Sequence, residues 1–145
     1  MILVDANLLI YAIDRDSPHH AKARPWFESV LSGTVEVGFA WIVVLAFLRI
    51  TTRPGILRRP LGVDAAVDFV DSWLQQPYAS LVAPGPHHWP IFRNLVRATG
   101  TAGNLTSDAH LAALALELGA ELYSADYDFQ RFPGISHVNP VAEDE

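Results

Sequence analysis

Met1-Ile2-Leu3-Val4-Asp5 is the stretch whose reading decides the fold. An unbroken apolar run closed by a charge reads as a strand buried on both faces, as in a parallel sheet. Asn7–Ile13 continues from it as a brief helix, and the same alternation recurs outward along the chain. Ser17 and Pro18 supply an N-cap and a first helical residue for a helix that runs to about Leu31, where Ser32 and Gly33 stop it. Val35–Phe39 reads as a second strand, and Trp41–Thr52 as an apolar helix closed by Arg53, Pro54 and Gly55. Asp64–Gln75 carries helical spacing in Ala66, Val67, Phe69, Val70, Trp73 and Leu74. Ser80–Ala83 is a third strand, Pro86–Thr99 a helix, and Gly100–Gly103 a loop. Thr106 or Asn104 caps a helix over Asp108–Leu118 that Gly119 ends. Glu121–Ser124 is a fourth strand and Ser136–Val138 a short fifth. Strands alternating with helices predict a three-layer α/β/α sandwich around a mostly parallel sheet. With no repeat or linker in 145 residues, one domain is expected, an ordered core over residues 1–140 and an acidic tail over 141–145.

Composition narrows the function classes. Half of the residues are hydrophobic and 18% charged, which excludes a disordered chain. Cysteine is absent, so disulfides and cysteine zinc sites are excluded, and a reducing compartment fits. The opening apolar residues carry Asp5 and no basic leader, so no secretory signal is expected. The apolar run from Val37 to Leu48 falls short of the ~20 residues of a membrane-spanning helix. The expectation is a soluble cytoplasmic protein without membrane contact. The net charge of −6 runs against nucleic-acid binding by charge alone. The charges are uneven, however. Arg49, Arg53, Arg58 and Arg59 fall close together, Arg93 and Arg97 share a helix face, and Glu143, Asp144 and Glu145 place three acids in the tail.

Asp5 closes the first strand, Asp126 follows the fourth, and Asp108 lies in the first turn of the helix between them. In open parallel sheets, ligands sit outside the carboxyl ends of strands near a topological switch point. If the first and fourth strands are neighbours, Asp5, Asp108, Asp126 and Asp128 converge. Clustered carboxylates repel one another, and a divalent cation relieves that cost. Oxygen-only donors suit Mg²⁺ or Mn²⁺, which polarise a phosphoryl oxygen and activate water for attack on a phosphodiester. Each acid also has a plain reading: Asp108 complements a helix dipole, and Asp126 and Asp128 form a turn. Asp5 is harder to dismiss, since an acid at a buried strand end needs a partner.

Val-Asp-Ala-Asn at 4–7, Ser-Asp-Ala-His-Leu-Ala-Ala-Leu-Ala at 107–115 and Ser-Ala-Asp-Tyr-Asp-Phe at 124–129 together resemble a PIN domain. Trp-Ile-Val-Val-Leu-Ala-Phe-Leu-Arg at 41–49 and Phe-Pro-Gly-Ile-Ser-His-Val-Asn-Pro at 132–140 narrow the resemblance to the VapC toxins of toxin–antitoxin pairs. The resemblance covers essentially the whole chain. It implies an endoribonuclease dependent on Mg²⁺ or Mn²⁺, neutralised by a cognate VapB-type antitoxin and usually dimeric. By motif position Asp5, Asp108, Asp126 and Asp128 are then the catalytic and metal-binding acids, and Asn7 and Ser124 support them by hydrogen bonds. Arg49 and Arg53 are the candidate RNA contacts, of the phosphate-positioning kind.

One position departs from the pattern. Many PIN domains carry a glutamate three residues before the arginine of the helix at 41–52, where this chain has Ala46. That puts a second tightly held cation in doubt and keeps open a weakly active or inactive module that binds RNA or antitoxin. A phosphatase using Asp5 as nucleophile is disfavoured, because Asn7 replaces the second aspartate of its motif and Lys22 is the sole lysine. His19, His20, His87 and His88 read as capping or solvated, His110 as pointing away from Asp108, and Trp26, Trp41, Trp73 and Trp89 as core or interface packing. Exposed apolar residues on the helices at 64–75 and 86–99 offer grooves to an amphipathic partner.

Overall fold

A computed structural model describes residues 1–100 and 103–143, Asn104 in its backbone alone. Thr101 and Ala102 of the expected loop, the Asn104 cap and the end of the acidic tail lie outside the described residues. Among the described residues five strands and six α-helices follow one another. They are β1 (Ile2–Val4), α1 (Ala6–Ile13), α2 (His20–Ser32), β2 (Val37–Ala40), α3 (Trp41–Thr52), α4 (Val63–Leu74), β3 (Ala79–Val82), α5 (His88–Thr99), α6 (Thr106–Leu118), β4 (Glu121–Tyr123) and β5 (His137–Val138). Single 3-10 turns stand at Gly103–Leu105 and Tyr127–Arg131.

The sheet order is β3-β2-β1-β4-β5, and every pairing is parallel. Leu3 pairs with Leu122 and Val4 with Tyr123, so the first and fourth strands are neighbours. The chain leaves β1 toward β2 and β3, then returns across to β4. Right-handed crossovers place α1–α4 on one face and α5–α6 on the other. That gives the three-layer sandwich and sets the topological switch point between β1 and β4.

Burial explains why these segments form strands. All four residues of β2 are buried, as are Leu3 and Val4 of β1. Gly38 is required where the strands meet, since a Cβ there would stand 2.7 Å from Leu3 Cδ2. On the α1–α4 face Trp73 anchors an aromatic cluster, its ring centroid 4.8 Å from Phe47, 5.3 Å from Phe27 and 5.9 Å from Phe39. α6 is apolar nearly all round because it is covered on several sides, and Gly119 ends it at φ 64°.

Several boundaries shift for local reasons. α2 begins at His20 rather than at Pro18, because the Ser17 hydroxyl accepts the His19 N–H at 3.1 Å and holds a turn there. α5 begins at His88 rather than Pro86, because the Glu117 carboxylate of α6 accepts the N–H groups of Gly85 and His87 at 2.7 and 2.9 Å. Asp5 itself caps α1, which therefore starts at Ala6. Thr106 does not cap α6: its hydroxyl donates back to Gly103 O. Val141, expected in the tail, is buried in the core.

Trp73→Ala removes the ring that joins α4 to two other helices and a strand. It should cost about 3–5 kcal/mol of unfolding free energy, read as a lowered denaturant midpoint.

Candidate functional site

The site begins with one serine. Ser124, just past β4, is fully buried, and its hydroxyl donates to Asp5 Oδ2 at 2.7 Å. Ser124 Oγ in turn accepts the Asp126 N–H at 3.0 Å and an Asn7 Nδ2 hydrogen at 3.3 Å. Asn7 Oδ1 accepts the Ala125 N–H at 3.3 Å. The acid after the first strand is thereby tied to the turn after the fourth. Asp5 Oδ1 accepts the Ala6 N–H at 2.8 Å, so both oxygens of this partly buried carboxylate have donors. Asp126 Oδ1 accepts the Asp128 N–H at 2.9 Å and starts the 3-10 turn at Tyr127.

Asp108, Asp126 and Asp128 each offer a carboxylate oxygen, and these three atoms lie within 4.8 Å of one another. Asp5 is not one of the three. It lines a cavity of about 300 Å³ together with Asp108, Ser107, Ala46 and Arg49. The four expected acids are thus gathered as a trio with Asp5 beside it.

Their electrostatics follow from that crowding. Burial pushes the Asp5 carboxyl above its ordinary value against the pull of the Ser124 and Ala6 hydrogen bonds, and the charge of Asp126 adds to the rise. Asp108 is pushed from 3.8 up to about 6, first by desolvation and then by the charges of Asp126, Asp5 and Asp128. The donors of one octahedral Mg²⁺ at ~2.1 Å stand ~3 to 4 Å apart, so three hard oxygens inside 4.8 Å fit such an ion after small side-chain rotations. Ala46 lines the cavity without a donor, so α3 contributes no carboxylate to it.

The basic residues separate. Arg49 lines the cavity, whereas Arg53 stands exposed at the C-terminal cap of α3 and is not among its lining residues. Arg59 makes a two-pronged ion pair with Asp16 at 3.0 and 3.1 Å, so the four arginines do not form one rim. The histidines also depart from expectation. His88 is not a solvated cap: its Nε2 lies 2.9 Å from His110 Nδ1 across the α5–α6 contact. His20 Nδ1 lies 2.9 Å from Tyr11 O. Trp73 is core and Trp26 stacks on Tyr123 at 5.4 Å, while Trp41 and Trp89 are exposed.

One residue of the site was missed. His137 Nε2 lies 2.9 Å from Ser124 O, and since a carbonyl only accepts, Nε2 carries the hydrogen. His137 Nδ1 is buried with no partner among the described residues. The ring steadies the turn that carries Asp126. Only its place in the segment at 132–140 marked it in the sequence, since the contact depends on β4 and β5 pairing.

A family model of the PIN domain matches residues 2–135. Ribonuclease VapC37 of Mycobacterium tuberculosis is 45% identical over 142 residues, 98% of this chain and 99% of that protein. Ribonuclease VapC33 of the same species is 38% identical over 143 residues, 99% and 100% of the two chains. Among solved structures, M. tuberculosis VapC20, a toxin that cleaves the sarcin–ricin loop, superposes with a TM-score of 0.69 at 20% identity, covering 97% of this chain and 100% of its own. VapBC2 of Rickettsia felis, bound to promoter DNA, gives 0.71 at 15% identity, covering 96% and 98%. These two structures share the fold.

A carboxyl whose pKa is raised on folding stabilises the protein below its unfolded value and ceases to do so as pH rises through the folded one. In metal-free buffer, wild-type stability should therefore fall between about pH 4 and pH 6 relative to Asp108→Asn. Paired thermal melts across that range check it, and parallel curves would contradict it.

Proposed function

Since the chain belongs to the PIN-domain family, among the VapC-type ribonucleases, we propose that it cuts RNA at the carboxylate cluster, where Asp108, Asp126 and Asp128 hold one Mg²⁺ or Mn²⁺ beside Asp5. Its biological role is that of the toxin in a toxin–antitoxin pair. The observation that carries the proposal is the approach of three carboxylate oxygens, from segments distant in sequence, to within 4.8 Å at the switch point of the sheet. A divalent cation bound there supplies neutralisation of the acids, polarisation of the phosphoryl group and a more acidic water.

The chain's own residues do the rest. Ser124 and the Ala6 N–H fix the orientation of Asp5, and Asn7 fixes Ser124, so the acid cannot rotate away from the cavity. Without a cation the Asp108 carboxyl is pushed up to about 6, and a cation held there would favour its ionised form. Arg49, on the cavity wall, meets the phosphate backbone, and Arg53 extends that contact one turn on. Since Ala46 adds no donor, a one-cation site suits the chain better than a two-cation site.

The partner is a VapB-type antitoxin, as in the VapBC complexes that share this fold. A groove lined by Ile13, Phe27, Phe69 and Trp73 together with Arg15, Arg24 and Glu28 suits an amphipathic helix of such a partner. Of the two helices expected to offer grooves, α4 contributes to this one. Exposed Trp41, Leu45 and Trp89 give a second copy of the chain an apolar face, in keeping with a homodimer. No described helix is long and apolar enough to cross a membrane, and a cytoplasmic site of action agrees with an RNA substrate.

Purified protein should cleave single-stranded RNA in Mg²⁺ or Mn²⁺ and stop in EDTA. Asp108→Asn should lower the rate by more than ~100-fold, because even loss of an outer hydrogen-bond partner of a metal ligand costs ~10- to 100-fold. Cleavage that survives EDTA would contradict the proposal.

A further inference from the structure

Ala125 and Tyr127 flank Asp126 in the chain, and both line a second cavity of about 620 Å³. Its other walls are Tyr11, His19, Asn139 and residues 141–143. We propose that this cavity is a nucleobase subsite, in which Tyr127 stacks an unpaired base of the RNA strand whose phosphate lies at Asp108, Asp126 and Asp128. The inference rests on the ribonuclease reading and adds to it where the substrate's base goes.

Tyr127 sits between two acids of the cluster, yet it is 55% exposed, whereas the nearby Phe129 is fully buried. Its exposed ring lines the cavity beside the cluster, where an unpaired base can reach it. His137 meets the Tyr127 ring at 86° with centroids 6.2 Å apart, so it covers at most part of one face. The remaining ring surface is of the kind on which unpaired bases stack, whatever their identity.

The lining carries two more rings, Tyr11 and His19, with centroids 4.6 Å apart. Polar groups for the edge of a base are present as well. Asn139 Oδ1 accepts the Val141 N–H at 3.0 Å, which fixes the amide and leaves Nδ2 without a partner among the described residues. The Tyr11 hydroxyl likewise has none there.

Charge selects a base over a phosphate. Glu143 lines the cavity, Asp126 and Asp128 adjoin it, and no arginine is among its lining residues. Lys22, whose Nζ donates to Ala142 O at 2.9 Å, sets one positive charge against these three acids. An anion is repelled from such a place, while an uncharged planar ring is not. The phosphate-facing work stays with the cation and Arg49, on the cavity that holds Asp5 and Asp108.

The test is steady-state cleavage of a short single-stranded RNA in Mn²⁺ by wild type, Tyr127→Ala, Tyr127→Leu and Tyr127→Trp, with Mn²⁺ affinity and melting temperature of each. Loss of one stacked base should raise KM by about 5- to 150-fold in Tyr127→Ala and Tyr127→Leu. Little change in kcat should accompany it, the signature of lost uniform binding. Tyr127→Trp should restore KM, and Mn²⁺ affinity should stay constant throughout. An unchanged KM in either truncated variant, or no difference between Tyr127→Leu and Tyr127→Trp, overturns the subsite while leaving the nuclease intact. A wild type that cleaves no RNA overturns both. Should Tyr127→Ala fail to fold, the comparison of Tyr127→Leu with Tyr127→Trp decides alone.

Discussion

Like charges forced together are the constraint on which the rest of this molecule depends. Asp108, Asp126 and Asp128 meet within 4.8 Å, Asp5 stands beside them, and desolvation followed by those charges pushes Asp108 up to about pKa 6. Nothing about folding favours such an arrangement. It persists because backbone groups and one buried hydroxyl hold the side chains in place: Ala6 and Ser124 on Asp5, Ser124 on the Asp126 N–H, and Asp126 on the Asp128 N–H. Local conflict supported by consistent structure elsewhere is what a functional site looks like. The aromatic cluster at Trp73 and the buried β1–β2 and β1–β4 pairings supply that support.

Topology turns the constraint into a site. Because β1 lies between β2 and β4, the chain departs from it in both directions, and the carboxyl ends of β1 and β4 open onto a common crevice. One cavity there carries Asp5, Asp108 and Arg49, and a second adjoins Asp126 through Ala125 and Tyr127. The overall acidity of the chain is then less of an obstacle to RNA binding than it first looks. A divalent cation at the cluster would offset much of the local negative charge, and uncharged bases need no basic groove.

Much of this was legible in the residues themselves. The apolar run ending at Asp5 marked a buried parallel strand, Trp41–Thr52 was readable to its ends, and Gly119 stopped α6 where expected. The motif order was enough to suggest the family. What could not be read was pairing between distant segments. The β1–β4 adjacency joins residues about 119 apart in the chain, and no local preference encodes it. The same limit hid the His137 contact with Ser124 O, the His88–His110 pair and the Arg59–Asp16 ion pair. Asp5 was expected among the four acids, and it stands beside the trio as the cap of α1. Helix starts near Pro18 and Pro86 were placed early, since side-chain hydrogen bonds to turns outweighed proline's preference for the first helical position.

The central claim is that the crowded carboxylates are a cation site. Titration of the metal-free protein with Mn²⁺, followed by the loss of the free-ion electron paramagnetic resonance signal, measures it directly. One saturable ion per chain in the wild type, absent from both Asp108→Asn and Asp126→Asn, is the expected result. A wild type that takes up no Mn²⁺, or variants that bind it as well as the wild type does, would contradict it.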